Sequence, residues 1–171
     1  QGQCVVCIAN TVAKAQTWYR CVKEAMPADT FPAGILHARF PLFRRAAIEQ
    51  EWMSRLGKPT AGVERPQGCV LIATQIVEQS VDLDADLLIT ELAPTDMLLQ
   101  RLGRLWRHNR TQRPLDSPHM YIIEEKKSLE ELGGLDAKAI TDVLGNKSKV
   151  YAPYVLLRSL RIWKTLHKVT L

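Results

Sequence analysis

A chain of 171 residues with 46% hydrophobic and 24% charged side chains can bury one sizeable core. That composition excludes a disordered, fibrous or disulfide-stapled chain. The net charge of +5 favours an anionic partner without naming one, and the lack of a long apolar run or a signal peptide argues against a membrane role.

The elements follow one another in a regular order. Residues 4–9 form an apolar, β-branched run and read as a buried strand. Asn10 and Thr11 are helix-start residues, after which Val12, Ala15, Tyr19 and Val22 recur at helical spacing. Strand, turn and helix open a βαβ unit, and the free N–H groups at such a helix start suit phosphate. Residues 27–34 read as a loop and 35–40 as a second strand with His37 and Arg39 on one side. The stretch 41–56 is helical, with Ile48, Trp52 and Leu56 as its apolar stripe and Arg45–Glu49 as an i, i+4 pair. After a Gly- and Pro-containing loop, residues 69–73 make a third buried strand that ends at Thr74. The alternating Asp82, Asp84 and Asp86 suggest a calcium loop, but that loop needs Gly sixth and Glu twelfth, where this chain has Leu87 and Ala93. Residues 87–92 form a fourth strand ended by Pro94.

Residues 95–108 read as one helix, with Thr95 as its cap. At about 100° per residue, Gln100, Arg104 and Arg107 share a face, His108 and Arg101 flank it, and the leucines fill the opposite arc. Gly103 lies beside the polar stripe, where a missing side chain admits a close surface. Arginines at this spacing with no acid between them repel one another. They suit a docked anion, and a triphosphate matches the guanidinium fork best; the plainer alternative is a solvated basic face. Residues 120–124 make a fifth strand, 125–149 a polar stretch with broken helical fragments, and 151–168 a last helix with Leu156, Leu160 and Trp163 on its apolar side.

Strands alternating with helices indicate a three-layer α/β domain with a mostly parallel sheet, whose ligand edge lies at the carboxyl ends of the strands. Asn10, Thr74 and Asp82 all fall at or after such ends. The expected division is a domain at 1–124, followed at 125–171 by a polar linker or insertion and a docking helix. Both chain ends fall directly against an element, which points to one domain of a longer protein. Cys4-x-x-Cys7 sits on a strand that would point the two thiols to opposite faces, and no second pair follows. No metal site is expected, and the cysteines read as buried thiols in a reducing cytosol.

Ala73-Thr74 with Gln79-Ser80-Val81-Asp82, followed by Gln100-Arg101-x-Gly103-Arg104-x-x-Arg107, resembles motifs V and VI in the second RecA-like domain of superfamily 2 helicases. A narrower resemblance is carried by Asn10-Thr11-Val12, Leu36-His37-Ala38-Arg39-Phe40 with Arg45 and Glu49, and Val77-Glu78-Gln79-Ser80-Val81-Asp82. Together these look like the CRISPR-associated helicase–nuclease of type I systems, over roughly residues 4–124. Arg44 departs from the pattern, which has an acid there.

The resemblance implies arginine fingers at Arg104 and Arg107. It implies nucleotide contacts from Gln100, Asp82 and Arg101, with ATP and Mg2+ held against an absent first RecA-like domain. It implies contacts from Thr74, Asn10, Thr11, His37 and Arg39 to the backbone of single-stranded DNA, and a CRISPR RNA-guided surveillance complex as partner in a prokaryotic cytoplasm. The phosphate loop, the DExH acids and the nuclease His-Asp pair do not occur in these residues, so half of a motor is expected. The rival from another class is a non-catalytic basic α/β module that binds nucleic acid or a protein. An RNA helicase or a restriction translocase on the same scaffold is a further alternative, and Gln79-Ser80 counts against the RNA helicase.

Overall fold

A computed structural model describes residues 2–26, 30–59, 64–78, 81–123, 134–166 and 169. Strand β1 (Cys4–Ile8) leads into α1 (Val12–Ala25), β2 (Ala33–Leu36), α2 (Leu42–Leu56) and β3 (Cys69–Ala73). A 3-10 turn (Gln75–Glu78) follows, then β4 (Leu87–Glu91), α3 (Thr95–Leu102) and β5 (His119–Ile123). The chain continues with α4 (Ala137–Leu144), a second 3-10 turn (Gly145–Lys149) and α5 (Pro153–Thr165).

The five strands form one sheet in the order β2-β3-β1-β4-β5, and every pairing is parallel. A parallel sheet needs cover on both faces because its crossovers are helices. Cys4, Val6 and Ile8 point to one side, where Trp52 and Leu56 of α2 pack with Val81, Leu83 and Leu105. Cys7 points to the other side with Ala9 and Ile72, under Ala15, Trp18 and Val22 of α1. The Cys4–Cys7 pair is thus split across the sheet, as strand alternation requires. All four cysteines are free, and Cys21 is exposed on α1 rather than buried as expected.

Helix α1 begins where Thr11 Oγ1 accepts from the Lys14 backbone N–H at 3.2 Å. Helix α2 begins after Pro41, whose φ of −51° suits a helix entry, and ends at Gly57 with its N–H on Met53 O. The Arg45–Glu49 pair is present at 3.5 Å. Leu92, Ala93 and Leu98 share a core with Leu144, Leu156 and Leu160, so the described part of the C-terminal helices is docked on α3. Trp163 borders that cluster, while Arg158 and Arg161 are exposed. The expected division near residue 124 falls outside the described residues, as do Gln79 and Ser80.

Three expectations are corrected. The second strand stops at Leu36, so His37 and Arg39 lie in the turn after it, closed by Phe40 N–H on His37 O. Strand β2 is an edge strand whose one neighbour, β3, ends opposite at Ala73, so further residues have no ladder to join. Thr95 is not the cap of α3: Pro94 holds that position, and the Thr95 hydroxyl donates to Ser159 Oγ at 3.1 Å.

Helix α3 also stops at Leu102, not at His108. Gly103 ends it with its N–H on Leu99 O, consistent with glycine's low helix propensity. Leu105 then pairs with Ala85 in a parallel bridge, with Ala85 N–H on Arg104 O at 2.8 Å and Trp106 N–H on Ala85 O at 3.0 Å. Trp106 takes a φ of +49°, a left-handed conformation costly for a bulky residue. Its indole N–H on Asp86 O and the Arg113 guanidinium 5.0 Å over its ring hold it there.

Candidate functional site

The carboxyl ends of β2, β3 and β1 are in register, with Leu36 opposite Ala73 and Ala73 opposite Ile8. His37, Thr74 and Asn10 therefore gather along one edge of the sheet. Thr74 N–H donates to Leu36 O at 3.1 Å. His37 stacks face to face on Phe40 with centroids 4.2 Å apart. Burial lowers its pKa and favours the neutral ring, and its Nδ1 is buried without a partner. Arg39 is exposed, and no described acid pairs with it.

Asn10 is committed inwards. Its amide donates to Leu92 O at 2.7 Å, and its Oδ1 accepts from Arg101 Nη2 at 3.1 Å. Its backbone N–H donates to Glu91 Oε2 and its carbonyl accepts from Gln75. Thr11 spends its hydroxyl on the α1 cap. Asn10, expected at the nucleic-acid face, is buried with its side chain bonded inwards, whereas Thr11 is half-buried and its hydroxyl accepts at the start of α1.

Arg101 lies elsewhere than a nucleotide contact would. It is fully buried. Its Nε donates to Glu78 Oε1 at 2.8 Å and its Nη2 lies 2.7 Å from the same oxygen. Its Nη1 donates to Thr90 Oγ1 at 2.6 Å and to Glu91 O at 3.0 Å, and its Nη2 also reaches Asn10. The Tyr151 hydroxyl lies 3.4 Å from that Nη2 and 3.3 Å from Gln75 Nε2. Burial raises the Glu78 pKa despite Arg101 beside it, so desolvation outweighs the attraction. With its donors taken by protein, Arg101 ties β1, β4, the 3-10 turn and the C-terminal helices together.

Arg104 donates through Nε to Val77 O at 3.0 Å and through Nη2 to Glu78 O at 2.7 Å. Burial, and then the nearby charge of Arg107, lower its pKa. Arg107 rests its Nε on Asp82 Oδ1 at 2.8 Å, with both side chains 39% exposed. Its Nη1 lies at 3.5 Å from Gly103 O. Among the described residues, Nη1 of Arg104 and Nη2 of Arg107 have no acceptor. Gln100 is exposed on the last turn of α3, just before them. Because the helix ends at Leu102, a turn separates Gln100 from the two arginines, and the three do not share one helical face.

The remaining arginines of this stretch are spent on acids some twenty-odd residues upstream, which sequence reasoning missed. Arg110 pairs with Asp84 through Nε and donates through Nη2 to Gly57 O at 2.8 Å. Arg113 bridges Asp84 at 3.0 Å and Asp86 at 3.1 Å, and Arg65 pairs with Asp86 at 2.7 Å. Burial alone would raise the Asp84 carboxyl, but the hydrogen bonds and charges of Arg110 and Arg113 outweigh it and hold its pKa below normal. The three-residue recurrence of Arg101, Arg104, Arg107, Arg110 and Arg113, set against Glu78, Asp82, Asp84 and Asp86, was the available signal. The same pairing explains the alternating aspartates. Among the described residues, no group of three His, Cys, Asp or Glu could hold a metal ion, and no helix is long and apolar enough to cross a membrane.

Residues 1–110 match a family profile described as CRISPR-associated nuclease/helicase Cas3, C-terminal. The chain is 44% identical over 111 residues to the CRISPR-associated endonuclease/helicase Cas3 of Escherichia coli K12, covering 65% of this chain and 12% of that protein. A crystal structure of T. fusca Cas3-ATP superposes with a TM-score of 0.82 at 32% identity, over 96% of this chain and 18% of that one. A chain of a CRISPR RNA-guided surveillance complex in a pre-nicking state superposes with a TM-score of 0.74 at 32% identity, over 95% of this chain and 19% of that one. The chain thus spans between about a tenth and a fifth of the length of these relatives.

Proposed function

The chain belongs to the family of C-terminal domains of the CRISPR-associated nuclease/helicase Cas3, and we propose that it is the second motor domain of an ATP-dependent helicase that moves along single-stranded DNA. The observation that carries this reading is the pair of guanidinium groups at Arg104 and Arg107. Each is anchored from behind, Arg104 on two carbonyls and Arg107 on Asp82, and each keeps an unspent terminal nitrogen. Burial and then the charge of Arg107 depress the Arg104 pKa, with Asp82 and Glu78 acting the other way, so a further anion at this pair would favour both guanidinium groups.

These residues fit a nucleotide triphosphate. Arg104 and Arg107 would bind phosphoryl oxygens, Gln100 would order them, and Asp82 would hold the ribose or the attacking water. ATP supplies the phosphoryl group and Mg2+ comes with the acids of a first RecA-like domain; T. fusca Cas3 has been crystallised as Cas3-ATP. Fingers of this kind act on charge that grows in the transition state, and are worth roughly 10³–10⁵ in rate in other NTPases.

The sheet edge at His37, Arg39 and Thr74 would meet the sugar–phosphate backbone, which carries no sequence information and suits a translocating enzyme. Asn10 and Thr11 shape that edge from within. A CRISPR RNA-guided surveillance complex is the proposed recruiting partner, supported by the likeness to a chain of such a complex. The internal pairing of Arg101, Arg110 and Arg113 counts against a module that binds through bulk positive charge.

The test is the single-stranded-DNA-stimulated ATPase of the full-length parent protein, wild type beside Arg107→Ala. Turnover should fall by about 10³-fold or more with ATP affinity within a few-fold, because the lost interaction belongs to the transition state. Wild-type turnover in the variant would remove the finger assignment.

A further inference from the structure

Arg107 depends on Asp82 for its position, and Asp82 is itself half-exposed. An exposed ion pair holds geometry weakly, since solvent screens it and both side chains can rotate away. A third side chain closes this gap. The Nε2 of His108 lies 3.0 Å from Oδ1 and 3.0 Å from Oδ2 of Asp82, astride the carboxylate. His108 is the less exposed of the two, at 18% against 39%.

The backbone of His108 is pinned from the core. Its carbonyl accepts from Arg113 Nη2 at 2.6 Å. Arg113 in turn grips Asp84 and Asp86, both buried, and covers the ring of Trp106. A path of hydrogen bonds therefore runs from two buried aspartates through Arg113 and His108 to Asp82, and the ion pair of Asp82 with Arg107 continues it. We infer that His108 is a positioning residue for ATP hydrolysis: it locks the Asp82 carboxylate so that Arg107 is held through Nε, and through Nη1 near Gly103 O, with Nη2 left for a ligand. His108 does not touch the nucleotide, and the inference rests on the finger reading of Arg107.

Supporting shells of this kind typically change function 10–100-fold when removed. In the full-length protein, His108→Ala should lower the kcat of DNA-stimulated ATP hydrolysis about 10-fold while leaving KM for ATP within twofold and the thermal midpoint unchanged. His108→Gln, whose amide N–H can replace Nε2–H, should recover most of the loss, whereas His108→Met, which fills the space without a donor, should not. The double variant with Arg107→Ala should be no slower than Arg107→Ala alone, because groups that act through one another are not additive. If Arg107→Ala is inactive and His108→Ala and His108→Met keep wild-type kcat, the inference fails while the finger reading stands. Failure of the glutamine rescue, or a fully additive double variant, overturns it as well. An active Arg107→Ala removes both. Should His108→Ala unfold early, the Gln and Met pair carries the comparison.

Discussion

Replacing Arg101 by Met keeps most of the apolar volume of the side chain and removes its guanidinium. Glu78, Thr90 Oγ1, the Glu91 carbonyl and Asn10 Oδ1 then lose a donor in a region that water does not reach. Breaking a buried ion pair by removing one partner costs about 3–5 kcal/mol. Two considerations set the figure within that range. Glu78 can take up a proton once its cation is gone, and its pKa is already raised by burial, so a lone charge need not persist at full cost. Against that, Thr90 Oγ1 and Asn10 Oδ1 lose the donor they had, while the Glu91 carbonyl keeps the Thr90 hydroxyl. The expected loss is therefore about 4 kcal/mol, or a fall of roughly 8–16 °C in midpoint for a domain of this size.

The pH dependence follows with a definite sign. A carboxyl whose folded pKa is raised above its usual 4.5 penalises the folded state when ionised. Removing Arg101 lifts the Glu78 pKa further, so this part of the Arg101→Met deficit should be full above the variant's pKa and should vanish as pH falls to the wild-type folded pKa. The assay is thermal or urea unfolding followed by circular dichroism at several pH values. Pairing the variant with Glu78→Leu should recover most of the loss, because a buried pair replaced on both sides by apolar groups is often neutral. A loss below about 1 kcal/mol in Arg101→Met, the range of an ordinary surface pair, would refute the assignment of Arg101 as the internal tie.

Two further predictions concern the scaffold. Asp84 has a folded pKa below 3.8, so its stabilisation is present above that value and lost as pH falls through the depressed one; Asp84→Asn should flatten the acid limb of midpoint against pH, measured by thermal unfolding. Gly34→Ala would set a Cβ 2.4 Å from Trp52 Cζ2 on a sheet residue with no room to shift. Overpacking of this kind costs about 1–3 kcal/mol, and a urea midpoint equal to wild type would contradict the close packing of α2 on β2.

The sequence alone determined the elements and their order, because each rests on information local to the chain. Residues 69–73 are apolar between loop residues and form β3 as read. The pattern Ile48, Trp52, Leu56 at helical spacing placed the buried side of α2, and the alternation of Cys4 and Cys7 placed them on opposite faces of the sheet. The placing of Asn10 and Thr74 together at the carboxyl edge also followed, since parallel strands end together. Tertiary structure decided what those side chains do there. Leu98, Leu102 and Leu105 keep helical spacing, yet Leu105 reaches the core through a bridge to Ala85, and α3 stops at Gly103. Which arginine takes which acid was likewise decided by tertiary structure. No acid lies between the arginines from 101 to 113, and their partners Glu78, Asp82, Asp84 and Asp86 arrive only when the segment before β4 folds against the turn after α3. Local spacing tells which side chains share a face of one element; only the packing of two elements tells which of those charges is spent inside and which remains for a ligand.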